Sequence, residues 1–87
     1  NPTHLAIAIQ YEPGKMKAPK IVAKGAGVFA KNIVRIAREN KIPVLERKPL
    51  ARALYKNVQV GQEIPVDFFR AIAEILAQIY KARQSAA

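Results

Sequence analysis

Asn1-Pro2-Thr3-His4 is the stretch of this chain whose residue types, in this order, could carry out a covalent reaction. Ordinary asparagine ageing begins when the next backbone N–H attacks the side-chain carboxamide, and Pro2 has no such N–H. The opposite attack stays open. The Asn1 carboxamide nitrogen can add to its own main-chain carbonyl, close a succinimide ring and expel the Pro2 nitrogen as a new amino terminus. Asn followed by Pro favours a tight type I turn, with the proline φ held near about −65°. A turn that presses the nitrogen against the carbonyl can supply orders of magnitude in rate. In that scheme Asn1 cyclises and Pro2 leaves, while Thr3 steadies the turn and His4 relays a proton or hydrogen-bonds the leaving amine. Asn-Pro is also an ordinary turn initiator. Taken alone, the tetrapeptide leaves a structural turn and a self-processing turn both open.

Other chemistries find little material. The chain has no cysteine, one histidine and six scattered acidic residues, so no metal site and no cofactor are expected. The longest apolar run, Leu5 to Ile9, is far short of the ~20 residues that cross a bilayer. Fifteen Lys and Arg against six Asp and Glu leave a formal charge of +9. That balance attracts nucleic acid, anionic headgroups or acidic proteins. The cations gather as Lys15, Lys17, Lys20 and Lys24, then Lys31, Arg35, Arg38 and Lys41, then Arg47, Lys48, Arg52 and Lys56. No aromatic residues interleave with them as stacking platforms, so specific nucleic-acid binding is not expected.

The elements that must position the tetrapeptide follow from periodicity. Leu5 to Tyr11 alternates large and small apolar residues, which predicts a strand with one heavily buried face. Lys20 to Lys24 is a second short strand, closed by Gly25 and Gly27. From Val28 to Asn40 the period becomes helical, with Phe29, Ile33, Ile36 and Ala37 on one face. Ile42 to Glu46 is a third strand, and its Pro43 suits an edge position. Pro49 opens a short helix to about Asn57, with Leu50, Ala53 and Leu54 inward.

Pro65 introduces the last helix, about 66–83, with Asp67 near its positive end. Val66, Phe69, Ala73, Leu76 and Tyr80 form one apolar stripe and Phe68, Ile72, Ile75 and Ile79 a second. Eighty-seven residues in this order read as one α/β domain with a frayed tail at 84–87. A tight turn normally joins two elements, so a further strand is expected from an upstream segment.

Four blocks carry a resemblance. Asn1 to Ala8, Lys20 to Gly25, Pro49 to Tyr55 and Gly61 to Pro65, in that order, resemble the cytoplasmic C-terminal domain of the type III export switch proteins. Tyr11 to Pro19 and Arg52 to Tyr55 lean toward the flagellar branch rather than the injectisome branch. The resemblance implies a small mixed central sheet wrapped by helices: three strands from this chain and one from upstream. It implies self-cleavage between Asn1 and Pro2, with the pieces staying associated and the export gate switching from rod, hook or needle subunits to later substrates. It further implies an attachment to transmembrane helices at the cytoplasmic face of the bacterial inner membrane. The partners implied are the upstream fragment, other export-gate and export-ring proteins, exported substrates and the hook- or needle-length control protein. Gly27 stands where this family is often acidic, and the stretch Glu46-Arg47-Lys48-Pro49 is more basic than usual.

Two further readings come from the residues alone. A basic nucleic-acid module predicts binding that falls steeply with salt. A non-processing interaction domain would use its twin-striped last helix to dock a partner. The basic surface also suits an anionic membrane.

Overall fold

A computed structural model describes residues 4–46 and 49–86, with the side chains of 80 and 82–86 outside the description. Strand β1 (Leu5–Gln10) lies in the middle of a three-stranded sheet, between β2 (Lys20–Ala26) and β3 (Val44–Glu46). Both pairings are antiparallel, so among the described residues the expected mixed sheet has no parallel pair. Helix α1 (Val28–Glu39) connects β2 to β3, and α2 (Pro49–Asn57) follows β3. A single 3₁₀ turn, Val66–Phe68, then leads into α3 (Phe69–Ala86).

The alternation in β1 decides the layers. Ile7 and Ile9, opposite Leu45 and Ile21, face a core completed by Leu54 and Val58 after β3 and by Ile64, Ile72 and Leu76 further on. Each such side chain, fully buried, contributes about 1.5–3 kcal/mol. Ala6 and Ala8 point the other way, opposite Gly25 and Ala23. On that small-residue face α1 comes close. A Cβ at Gly25 would stand 2.7 Å from Ile33 Cδ1 and 3.0 Å from Phe29 Cβ.

Close approach corrects the expected face of α1 at Phe29 and Ile36, while Ala37 is buried as expected. The helix buries Ala30 and Ala37, while Phe29 is 73% and Ile36 48% exposed. The closest approach selects methyl-sized side chains, with Ile33 half-buried over Gly25 and with Phe29 and Ile36 left on the flank. In α2 the buried residues are Ala51 and Leu54, continued by Val58, with the expected Leu50 and Ala53 half-buried. In α3, Ile72 and Leu76 are buried, whereas Val66 and Ala73 of the first expected stripe are exposed. The 3₁₀ turn explains Val66. Three residues per turn rotate it out of phase with a stripe that assumes 3.6.

Strand β3 is shorter than expected and starts at Val44. Pro43 still accepts a backbone hydrogen bond from Ile9 N at 3.0 Å, at an edge position that needs no proline donor. The N-terminal part of β2 is flanked by the loop before α3. Gly61 N donates to Ile21 O at 2.7 Å, Ile21 N to Gln62 O at 3.2 Å, and Ile64 N to Pro19 O at 2.8 Å. Because β1 already has β2 on one side and β3 on the other, a strand joined to it by a tight turn has no place beside it. Such a strand must reach an outer edge.

Candidate functional site

The start of β1 is fixed at one point by its neighbour in the fold. Gly27 N donates to His4 O at 3.0 Å, and Leu5 pairs with Ala26 one position further on. Gly27 has φ 61°, a conformation glycine adopts without strain, and the turn it makes sends the chain from β2 into α1. No side chain caps α1 and no acid occupies its first turn, which matches the missing acidic residue at Gly27.

His4 opens onto a cavity of about 180 Å³ whose other walls are Leu5, Ala30, Lys31, Val34 and Glu46. Three polar residues from three places in the fold line it: His4 just before β1, Lys31 of α1 and Glu46 at the end of β3. Register explains Glu46. It lies opposite Ala6, and antiparallel partners project to the same face, the one His4 shares two positions before Ala6. Glu46 Oε2 also lies 3.6 Å from Arg38 Nη2, both partly open to solvent. Exposed pairs of this kind contribute at most about 1 kcal/mol.

Of the four residues expected to carry self-processing, the structure describes His4; Asn1, Pro2 and Thr3 lie outside the described residues. Among the described residues no three His, Cys, Asp or Glu side chains gather as a metal would require. Lys31 and Glu46 were not singled out from sequence as neighbours of the tetrapeptide. Only the register of β3 and the packing of α1 place them there.

The described cations differ in their surroundings. Lys24, counted from sequence among a basic cluster, is half-buried instead. Its Nζ donates to Tyr55 O at 2.9 Å and Val58 O at 2.8 Å, and lies 5.2 Å from the Tyr55 ring centroid. A cation at the carboxyl end of a helix meets both its free carbonyls and the negative pole of its dipole. Lys15 and Arg35 pair with Glu12 and Glu39 at 3.5 and 3.2 Å.

Comparison with known proteins places this geometry among relatives. The model of the FlhB HrpN YscU SpaS family matches residues 1–79. The chain is 50% identical over 84 residues to the flagellar biosynthetic protein FlhB of Escherichia coli, covering 97% of this chain and 22% of that protein. It is 51% identical over 84 residues to FlhB of Bacillus subtilis, covering 97% of this chain and 23% of that one. The chain therefore spans less than a quarter of these relatives' length. Among solved structures, the cytoplasmic domain of FlhB from Shewanella putrefaciens superposes with a TM-score of 0.84 at 37% identity, over 95% of this chain and 64% of that one. The PscU C-terminal domain gives 0.79 at 45% identity, over 90% and 99%. Among the described residues no helix is long and apolar enough to cross a membrane.

Proposed function

This chain belongs to the FlhB HrpN YscU SpaS family, and from that membership we propose that it is a self-cleaving substrate-specificity switch of a flagellar-type export apparatus. The observation that supports the reading is the fixed start of β1: His4 O is held by Gly27 N at 3.0 Å, beside the cavity shared with Lys31 and Glu46. Holding His4 fixes the point from which the reacting residues leave the sheet, and positioning of that kind lowers the entropy cost of an intramolecular attack.

The reaction balances without water or cofactor. The Asn1 side-chain nitrogen bonds to the Asn1 main-chain carbon and gives up a proton. The bond from that carbon to the Pro2 nitrogen breaks, and the proline nitrogen takes a proton to leave as an amine. One piece ends in a succinimide; the other begins at Pro2. Each molecule reacts once. His4, with both an acceptor and a donor nitrogen in its neutral ring, is the side chain of the tetrapeptide suited to carry the proton across.

In this reading the domain sits at the cytoplasmic face of the inner membrane, attached through upstream transmembrane helices. It works with its upstream fragment, export-gate and ring proteins, exported subunits and the length-control protein. Scission alters the surface where the turn leaves the sheet, and export passes from rod and hook subunits to filament subunits. The +9 charge adds attraction to an anionic leaflet, about 1 kcal/mol for each well-placed cation.

The test is the intact mass of this domain extended upstream of Asn1, beside its Asn1→Ala variant. Two fragments divided before Pro2 in the parent, and one uncut chain in the variant, are expected. A parent that stays whole for days at neutral pH leaves the tetrapeptide as a structural turn and removes the reading.

A further inference from the structure

Phe29, Ile33 and Ile36 sit at i, i+4 and i+7 on α1, with Phe29 and Ile36 exposed and Ile33 half-buried between them. Beside them lies a groove of about 300 Å³, whose walls are all apolar and include Ala8, Val22, Ala23, Ile33, Ile36 and Ile42. Val22 is 39% exposed and Ile36 48%, and Phe29 extends the same stripe at 73%. With the groove beside it, Phe29 makes part of a contiguous apolar patch, and such patches mark interaction sites.

We propose that this groove receives an amphipathic helix of a partner protein, apolar on one side and acidic on the other. Three observations select that occupant. The stripe has helical spacing and borders a concavity, the arrangement that seats a partner helix's large side chains. A strand is disfavoured on the neighbouring edge of β2. The register slips between Ala8 and Ile9, leaving Val22 as an extra residue, and residues 61–63 already pair at Lys20 and Ile21. Bulges of this kind protect an edge from added strands.

Charge sets the sign of the partner. Lys20, Arg35 and Lys41, each within two positions of a groove residue, are exposed. Against these three cations stand two acids, Glu39, paired with Arg35 at 3.2 Å, and Glu63, across the bridge from Lys20, so the rim keeps a net positive charge. A second copy of a chain carrying +9 would be repelled. A bilayer surface would leave the concavity unfilled.

The test is fluorescence anisotropy with a labelled peptide about 18 residues long, long enough for five helical turns. It carries leucine at i, i+4, i+7 and i+11 and glutamate over the opposite face; a control carries lysine in place of glutamate. Saturable binding of the glutamate peptide to the 87-residue chain is expected. The lysine peptide should bind at least about tenfold more weakly, consistent with like-charge juxtaposition. Ile36→Glu and Val22→Glu, each with its urea midpoint measured beside the parent's to establish that it folds, should each weaken the glutamate peptide about tenfold or more. Amide shifts on binding should centre on Val22 and Ile36. Equal affinity for both peptides overturns the proposal, as do undiminished binding by the two variants and shifts centred on Tyr11 and Phe69. A dimer in sedimentation that buries the groove, or affinity confined to anionic vesicles, overturns it as well.

Discussion

Gly25 and Lys24 are adjacent in β2 and hold opposite faces of the sheet. Gly25 admits α1, and a methyl group there meets Ile33 Cδ1 at 2.7 Å and Phe29 Cβ at 3.0 Å. Gly25→Ala is therefore expected to cost about 1–3 kcal/mol as α1 is pushed outward, read as a lower urea midpoint. Lys24 reaches the other face and closes the end of α2 through two carbonyls. Lys24→Met keeps the bulk and loses the donors. A cost of about 1–2 kcal/mol is expected, with faster amide exchange at the end of α2, whereas Lys17→Met at an exposed position should change stability by less than about 0.5 kcal/mol. Sequence reading could not separate these two lysines. Both sit in one basic run, and only the path of β2 past α2 gives Lys24 carbonyls to bind.

The elements themselves were largely legible. β1, β2, α1 and α2 stand within two residues of where alternation, glycine and proline put them. Pro49 opens α2 as expected because the first position of a helix needs no N–H. What periodicity could not give was the depth of each face. It ranks side chains by apolarity, yet the alanine face of β1 selects Ala30 and Ala37 of α1 over Phe29 and Ile36. For α3 the apolar girth was too broad to choose from. The core takes Ile72 and Leu76, at i and i+4, with Phe68, Phe69, Ile75 and Ile79 half-buried around them. Ile72→Ala, at 1% exposure, should cost about 2–5 kcal/mol. Hydrogen exchange should then show α3 loosening before the sheet.

Over the whole molecule, like charge is in excess, and the three ion pairs among the described residues are exposed or partly so. Screening should therefore relieve more repulsion than it removes attraction. Raising salt from about 20 to about 300 mM, which shortens the Debye length several-fold, is expected to raise the melting temperature. A fall would mean that the ion pairs outweigh the net charge. Processing should leave the fold in place, because β1 is held by β2 from Leu5 and by β3 from Ala6. In the upstream-extended domain, Asn1→Ala should match the cleaved parent's melting temperature within a few degrees, the shift that corresponds to about 0.5 kcal/mol.

By itself the sequence determined the candidate reaction, since an Asn-Pro bond permits one direction of attack whatever surrounds it. It also determined the order of strands and helices and, through four collinear blocks, the family. The tertiary structure decided which groups stand around the tetrapeptide. Glu46 and Lys31 are 42 and 27 positions from His4 along the chain, and they meet it at one cavity because β3 pairs with β1 in a particular register while α1 packs close on alanine and glycine. Register and interlayer distance arise from contacts between distant residues, and no local pattern of side chains encodes them.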